Sequence, residues 1–232
     1  MLEQNYSEED DEIHFQEFLR YFKDSRYITV DQKPVLLIYR TSLFPDIVKT
    51  AGLWRRLAIK NGLPGLYLMA VRGINQIDDS PEKIGFDALV DFQPDFSVSY
   101  HRKRSSILEK IRFKLTGLQN GHDFNSIYEY DDLVSKCLQM NWPQTKFYPC
   151  VSPSWDNSAR RKTGATIFDG ATPQKYYTWL RQILKRFKPY SKEENFIFIN
   201  AWNEWAEGNH LEPCRKWGRK YLEYTALALD EN

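Results

Sequence analysis

Two carboxylates three residues apart, Glu204 and Glu207, follow an apolar run at 196–202 (FIFINAW). The run predicts a buried strand, and polar residues at the carboxyl end of a parallel strand commonly form the functional site. Glycosyl chemistry needs two such groups, because one protonates the leaving oxygen while the other acts as nucleophile, base or charge stabiliser. If the chain turns helical after the strand, the two glutamates share one helix face.

The neighbours of the two glutamates are the residue types that sugar sites use. Trp202 and Trp205 would wall the site, exclude water and raise the pKa of one carboxyl. Further polar candidates in this segment are Asn203, His210 and Glu212. The alternative is that the two glutamates lie on an ordinary solvated helix face. The strand end and the flanking aromatic and polar residues favour a site.

A metal site in the same segment is disfavoured. Glu207, His210 and Glu212 are possible ligands, but their spacing matches no recognised zinc motif. The three cysteines are odd in number and form no C-x-x-C pair, so neither a disulfide framework nor a zinc site is indicated. The sequence predicts no metal and no other cofactor.

A second polar cluster follows an apolar run at 146–153 (KFYPCVSP). Its Trp155 could stack on a sugar ring. Sugar hydroxyls could be bound by Asp156 and Asn157. A phosphate or carboxylate could be clamped by Arg160 and Arg161. The alternative interpretation is a polar loop that caps the next helix.

Two other groups of polar residues are weaker candidates. Tyr39 and Arg40 end a predicted strand at 34–40, so we count them as substrate-binding candidates. A basic stretch at 101–104 (HRKR) continues in three further cations up to position 114. It is typical of a solvated helix face, with contact to anionic lipid or to a diphosphate-linked acceptor as the alternative.

Helical periodicity and apolar runs alternate along the chain. Strands are predicted at 34–40, 65–71, 88–92, 146–153 and 196–202, and the main helices near 15–22, 47–58, 133–138, 173–187 and 218–229. Continuous apolar strands between helices are typical of parallel strands covered by helices, as in an α/β sheet or barrel. A closed eight-stranded barrel usually needs about 250 residues, and only five strands are predicted here.

The composition predicts one soluble globular domain over residues 1–232, with 42% hydrophobic and 27% charged residues. The net charge of +1 provides no field that would steer the protein to nucleic acid. The acidic N-terminus lacks the apolar core of a signal peptide, and no apolar run is long enough to span a bilayer. We therefore expect a cytoplasmic protein without a transmembrane segment or a nucleic-acid partner.

The segment 198–213 (FINAWNEWAEGNHLEP), followed by GRKYLE, resembles the signature of the WbsX-type glycosyltransferases. This family is identified with bacterial surface polysaccharide (lipopolysaccharide O-antigen) biosynthesis and carries a glycoside hydrolase family 99-like domain. The similarity extends over about 11–229 and includes the segments 24–39, 54–68 and 148–162.

The resemblance implies a (β/α)8 TIM barrel acting on a glycan, a sugar-nucleotide or a lipid-linked saccharide. In glycoside hydrolase family 99, which cleaves α-mannosidic linkages within glycans, the catalytic carboxylates lie in a similar Asn-Glu-Trp-x-Glu-Gly motif. Carried over, Glu204 would assist attack by the substrate's own 2-hydroxyl and Glu207 would be the acid/base residue.

Family members carry about three more strands on the N-terminal side, so the resemblance implies an N-terminally incomplete barrel. We expect the chain alone to be inactive and to be unstable, oligomeric or completed by a separate N-terminal polypeptide, because open sheet edges favour association. The alternatives to a glycosyltransferase are an α-mannosidase-type hydrolase, a non-catalytic glycan-binding protein and a degenerate barrel.

Overall fold

The computed structural model describes residues 6–72, 80–103, 111, 114–115, 124–161 and 163–231. The chain divides into two compact units. The first comprises Met1–Phe92, Trp142–Pro149 and Pro189–Phe196, and the second comprises Gln93–Asn141, Cys150–Lys188 and Ile197–Asn232. Neither unit is one continuous stretch of chain.

The described strands are short, and the helices are two to four turns long. The strands are β1 (Thr29–Val30), β2 (Lys33–Ile38), β3 (Tyr67–Arg72), β4 (Ala88–Asp91), β5 (Ser126–Glu129), β6 (Phe147–Tyr148), β7 (Cys150–Val151), β8 (Trp155–Asp156), β9 (Thr166–Asp169), β10 (Phe198–Ile199), β11 (Asn203–Glu204) and β12 (Asn209–His210). The α-helices are α1 (Glu8–Phe22), α2 (Ile47–Lys60), α3 (Tyr130–Gln139), α4 (Pro173–Arg186) and α5 (Lys220–Asp230). None of the helices within the described ranges has the length and apolarity needed to cross a membrane.

The first unit is built on a five-stranded sheet in the order β1-β2-β3-β4-β6. From β2 onward its neighbouring strands are parallel, with Leu36 opposite Leu68 and Ala70 opposite Leu89. The side chains of β3 and β4 are buried on both faces, apart from the half-buried Arg72. Burial on both faces explains why these strands are continuous apolar runs, and it confirms the predicted parallel α/β pattern.

The helix α2 begins at the predicted residue, Ile47, whereas α1 begins at Glu8, seven residues before the predicted stretch at 15–22. Ser7 caps α1 by accepting a hydrogen bond from the Asp10 amide at 3.0 Å, and four acidic residues fill the first turn. The helices α1 and α2 pack together through Trp54, whose Nε1 donates to the Asp11 carbonyl at 2.9 Å. Apolar residues at i, i+4 and i+7, among them Phe15 and Phe22, bury one face of α1.

Arg55 of α2 fastens the helix to the loops that flank β3 and β4. Its guanidinium donates to the carbonyls of Leu66 at 2.7 Å and Gly85 at 3.0 Å, and to Asp87 Oδ2 at 2.8 Å. The same Asp87 oxygen also accepts the Leu68 amide at 2.7 Å. One half-buried ion pair therefore joins a helix to two strands of the sheet.

The second unit contains three small sheets. The strand β9 lies between β5 and β8, β7 pairs in parallel with β10, and β11 pairs with β12 in a hairpin. Its main helix, α4, begins at Pro173 after the Thr172 cap and buries Tyr176 and Ile183 among its apolar face. The helices α4 and α5 pack through Tyr176 and Tyr221, whose ring centroids are 5.6 Å apart.

Several predicted boundaries are wrong. The run 146–153 is not one strand but two, because Pro149 lies between β6 and β7 and lacks an amide hydrogen for the ladder. The run 196–202 contains only the two-residue β10, and its side chains are half-buried or exposed rather than buried. The reason is that β10 pairs only with β7 among the strands of the described chain.

Other predictions concern short or undescribed segments. The strand β4 is preceded by a short 3-10 helix, Pro81–Ile84, that is not among the main helices predicted above. The strands β5, β8 and β9 were not predicted. Part of the predicted basic stretch, including the residues at 104, 110 and 112, lies outside the described residues.

Candidate active site

The two glutamates lie in a tight hairpin. Asn203 pairs with His210 and Glu204 with Asn209, and a single 3-10 turn, Trp205–Glu207, connects the two strands. Glu204 therefore ends a strand and Glu207 ends the turn, so the α-helical face considered for this segment does not form. The helix cannot continue because Gly208 is left-handed, with φ of 57°, and directs the chain back into β12.

Gly208 also presses the hairpin against β8. A Cβ atom at this position would lie 2.9 Å from the Asp156 carbonyl oxygen, which is closer than side-chain carbons approach. Ser154 Oγ donates to the Gly208 carbonyl, and Ser152 Oγ lies 3.2 Å from Asn209 Oδ1. These contacts fix the hairpin to the segment that carries the second polar cluster.

Arg160 from that cluster forms an ion pair with Glu207. The Glu207 side chain is 14% exposed, whereas the Arg160 side chain is half exposed. Burial raises the pKa of Glu207 above the ordinary carboxyl value, and the charge of Glu204 adds to the increase, while Arg160 opposes it. Glu207 therefore retains its proton to higher pH than a solvated glutamate.

The tryptophans beside the glutamates are more open than predicted. Trp202 is 52% exposed and Trp205 is 47% exposed. Trp205 is nevertheless held in place, because its ring stacks on His210 at 4.0 Å and its Nε1 donates to Glu212 Oε2 at 2.8 Å. Burial lowers the pKa of His210, although Glu212 partly offsets the decrease, so the imidazole is neutral near pH 7.

The second cluster combines both interpretations drawn from the sequence. Asp156 caps the 3-10 helix Asn157–Arg160 by accepting the Ser158 amide at 2.9 Å. Asn157 is buried and accepts the Thr166 amide at 2.8 Å. Asp156 and Asn157 thus stabilise the loop, and Arg160 of the same loop forms the ion pair with Glu207.

Two other members of the cluster lie at opposite extremes of exposure. Trp155 is only 4% exposed and packs against Phe96 with 5.0 Å between ring centroids, so its face is not an open stacking surface. Arg161 is exposed, and its Nη1 lies 3.5 Å from the Gly164 carbonyl oxygen, a long hydrogen bond. Trp155 therefore offers no open face on which a sugar could stack, and Arg161 does not form an anion clamp on its own.

Tyr39 and Arg40 belong to the first unit and follow β2. Both are exposed, with the Arg40 guanidinium 5.9 Å from the centre of the Tyr39 ring. Sequence reasoning overlooked Asp91, a buried carboxylate that ends β4 opposite Arg72 at the end of β3. The signal was available, because an aspartate that closes a buried run (ALVD) lies at the sheet edge where sites form.

Two residues of the basic stretch, His101 and Lys103, are paired with acidic residues. His101 Nδ1 lies 3.1 Å from Asp132, and Lys103 contacts Asp169 at 2.7 Å and Glu129 at 3.0 Å. This pairing fits a solvated, charge-balanced surface. Within the described ranges, no group of three or more His, Cys, Asp and Glu side chains is placed to hold a metal ion.

Comparison with known proteins shows relatives over nearly the whole chain. The family model described as glycosyltransferase WbsX matches residues 1–225. Two proteins named uncharacterized protein WxcX, from two strains of Xanthomonas campestris pv. campestris, are each 34% identical over 230 residues. These alignments cover 99% of this chain and 31% of each relative, so the chain spans about a third of the length of these relatives.

Solved structures show the fold. A glycoside hydrolase-like protein superposes with a TM-score of 0.58 at 15% identity, covering 97% of this chain and 62% of the other. The GH99 endo-alpha-mannosidase from Bacteriodes thetaiotaomicron superposes with a TM-score of 0.56 at 18% identity, covering 98% and 66%. The mixed α/β, glycoside hydrolase-like fold is thereby confirmed. With the family model matched from residue 1 to 225, this chain belongs to the WbsX glycosyltransferase family.

Proposed function

We propose that this chain belongs to a TIM-barrel-like, carbohydrate-active domain that transfers a glycosyl unit during bacterial surface polysaccharide (lipopolysaccharide O-antigen) synthesis. The observation that carries the proposal is the hairpin in which Glu204 and Glu207 lie one turn apart, with Glu207 largely buried and ion-paired to Arg160. Membership of the WbsX family supports the substrate class. The donor is a sugar-nucleotide or a lipid-linked saccharide, handled in the cytoplasm.

The two glutamates divide the chemistry according to their surroundings. Glu207, whose pKa is raised by burial, supplies a proton to the leaving oxygen and recovers one from the acceptor. Glu204, on the exposed strand β11, assists the nucleophile. Arg160 holds the Glu207 carboxyl in place between turnovers.

Additional strands form part of the same proposal. In the described chain, β10 has β7 on one side and no strand paired on the other. Unpaired strand edges attract further strands, so we infer that strands of a longer protein or of a separate polypeptide complete the barrel there. The resemblance to solved glycoside hydrolase-like folds is consistent with this arrangement.

The test uses the organism that encodes the chain, so that the protein has its natural partners and substrates. We expect Glu204→Gln and Glu207→Gln each to abolish the surface polysaccharide ladder on gel electrophoresis, with protein levels unchanged. The exposed Glu223→Gln on α5 is the matched control and should leave the ladder intact. A normal ladder in the Glu207→Gln strain would rule out the paired-carboxylate site.

A hydrolase is the second candidate, favoured by the fold likeness to an endo-alpha-mannosidase. Incubating the protein with α-mannan oligosaccharides distinguishes the two activities, because only hydrolysis releases new reducing ends without an added acceptor. A glycan-binding protein without turnover would leave the ladder unchanged in both glutamate variants.

A further inference from the structure

A cavity of about 270 Å³ lies in the second unit beside the glutamate hairpin. Gly208 and His210 of the hairpin line it, whereas neither Glu204 nor Glu207 does. Its other walls come from β8, from the end of β9 and from the segment leading into α5. The cavity is therefore next to the proposed reaction site but separate from it, at the small end of the size range for ligand pockets.

We propose that this cavity is a saccharide subsite that holds one neutral sugar residue of the glycan, next to the residue that reacts. The proposal rests on the proposed carbohydrate function and extends it to a second binding position. It is carried by the aromatic lining, by side-chain nitrogens of two lining residues that have no hydrogen-bond partner within the described ranges, and by the charged residues of the lining.

The lining provides the aromatic surface that sugars need. Trp217 is half-buried at the wall, and Phe168 and Tyr221 are buried beneath it. Flat aromatic faces pack against the apolar C–H face of a pyranose ring, and their bulk limits the ligand to about one ring. The hydrophobic part of the cavity thus matches one face of a monosaccharide.

Two polar side chains of the lining lack partners. Both ring nitrogens of His210 and Nε1 of the buried Trp155 have no hydrogen-bond partner among the residues that the structure describes. Leaving buried polar atoms unpaired costs stability. Because the half-buried imidazole is neutral, it offers one donor and one acceptor on different edges of the ring, and the several hydroxyl groups of a sugar, each able to donate or accept, match both.

The charged residues of the lining favour a neutral ligand. Asp156, Asp169 and Lys216 all line the cavity and are exposed, and Asp169 is ion-paired with Lys103 at 2.7 Å. Lys216 Nζ lies 4.9 Å from the centre of the Trp217 ring, so its charge is partly engaged there. A phosphorylated or carboxylated sugar would meet the Asp156 carboxylate, whereas a neutral sugar would find carboxylate acceptors for its hydroxyls.

The experiment measures binding of methyl α-mannoside, methyl α-glucoside and methyl α-galactoside by ligand-observed NMR, with glycerol as the additive control. Ala171→Leu fills the cavity from its lining, and Ala226→Leu on the exposed face of α5 is the matched control. Trp217→Ala removes the aromatic wall, and thermal melting checks that each variant is folded.

We expect at least one glycoside to bind, and both cavity variants to weaken binding about tenfold or more while Ala226→Leu and Glu207→Gln leave it unchanged. Binding lost in Glu207→Gln but retained in Ala171→Leu would place the sugar at the glutamates and overturn the subsite. The absence of binding for every glycoside, or equal binding of glycerol, would also overturn it. Since binding needs no turnover, these outcomes leave the polysaccharide test of the glutamates unaffected.

Discussion

At the scale of single residues, burial and the Arg160 charge shift the pKa of Glu207 in opposite directions. Burial favours its protonated form, and the Arg160 ion pair favours the ionised form, with burial the larger of the two. A general acid benefits from this balance, because it must hold a proton at working pH and still release it during the reaction. Arg160 is therefore a positioning residue whose charge tunes the pH at which Glu207 gives up its proton.

Replacing Arg160 with methionine should move the high-pH limb of the activity profile to higher pH. The reason is that the guanidinium lowers the pKa of Glu207, so its removal lets the carboxyl keep its proton longer. Arg161→Met is the matched control and should move the limb less, because Arg161 contributes the smaller effect. A limb that moves to lower pH in Arg160→Met would contradict the assignment of Glu207 as the acid.

His210 makes stability depend on pH. Burial lowers its pKa in the folded chain, so the unfolded chain binds the proton first. The contribution of neutral His210 to the free energy of unfolding is complete above about pH 6.5, the ordinary pKa of histidine. This contribution is lost as pH falls through the pKa of His210 in the folded chain. Of the groups around the ring, Glu212 opposes the decrease, while Trp205 and Tyr221 are uncharged.

We therefore expect His210→Gln to reduce the loss of melting temperature on acidification. The exposed His14→Gln on α1 is the matched control and should retain the loss seen in the unmodified chain. Thermal melting across the range around pH 6.5 measures both. An identical acid-induced loss in His210→Gln would show that another group is responsible.

At the scale of elements, the β11–β12 hairpin depends on a glycine, Gly208, at the end of its turn. Gly208 and Gly218 have nearly the same backbone conformation, with φ of 57° and 56°, but only Gly208 has neighbouring atoms where a Cβ would lie. The two positions therefore separate the cost of a left-handed backbone from the cost of a steric clash.

Gly218→Ala should cost about 1–2 kcal/mol, which is the typical penalty for a left-handed L-residue. Gly208→Ala should cost more, because its methyl group would also meet the Asp156 backbone at 2.9 Å, and it should displace Glu207. Denaturant unfolding of both variants measures the difference. Equal costs would show that the hairpin moves freely away from β8.

The sequence predicted the long elements better than the short ones. The helices α1, α2 and α4 repeat apolar residues over three or four turns, so their periodicity is unambiguous. The strands β8 and β10 have two residues each and exist because of their partners, which no local pattern reveals. The break at Pro149 could have been predicted from the missing amide hydrogen alone.

For the same reason, local sequence reveals only some of the contacts within the candidate site. Glu204 and Glu207 are neighbours in sequence, so their spacing was informative. Arg160 is 47 positions from Glu207, and nothing local indicates that the two side chains meet. Trp155 is the opposite case. A tryptophan that follows a strand indicates a surface for stacking a sugar, but the sequence does not reveal that this side chain is buried.

At the scale of the whole molecule, the balance of charge is close to neutral. The chain has 32 basic and 31 acidic side chains, a net charge of +1 and a pI of about 7.7. We expect its solubility to be lowest near that pH, because self-repulsion vanishes there. Turbidity of a concentrated sample across a pH series measures this, and greatest turbidity far from the pI would indicate that exposed apolar surface drives association instead.

The relatives named WxcX are about three times as long as this chain, so the chain corresponds to one region of those proteins. Family membership nevertheless applies to this region directly, because the family model spans it almost completely. The experiments in the encoding organism are chosen for that reason, since they retain whatever else the reaction needs.

The Arg55 ion pair links hydrogen exchange at one backbone amide, that of Leu68, to the packing of helix α2 on the sheet. The Leu68 N–H is bonded to Asp87 Oδ2, the same oxygen that Arg55 of α2 holds. Exchange of that hydrogen with solvent requires the bond to Asp87 to open. Lifting α2 from the sheet breaks the Arg55 bonds to the Leu66 and Gly85 carbonyls and also removes the cation that holds the accepting oxygen. The deuterium uptake of a single residue in β3 is thus sensitive to the docking of helix α2.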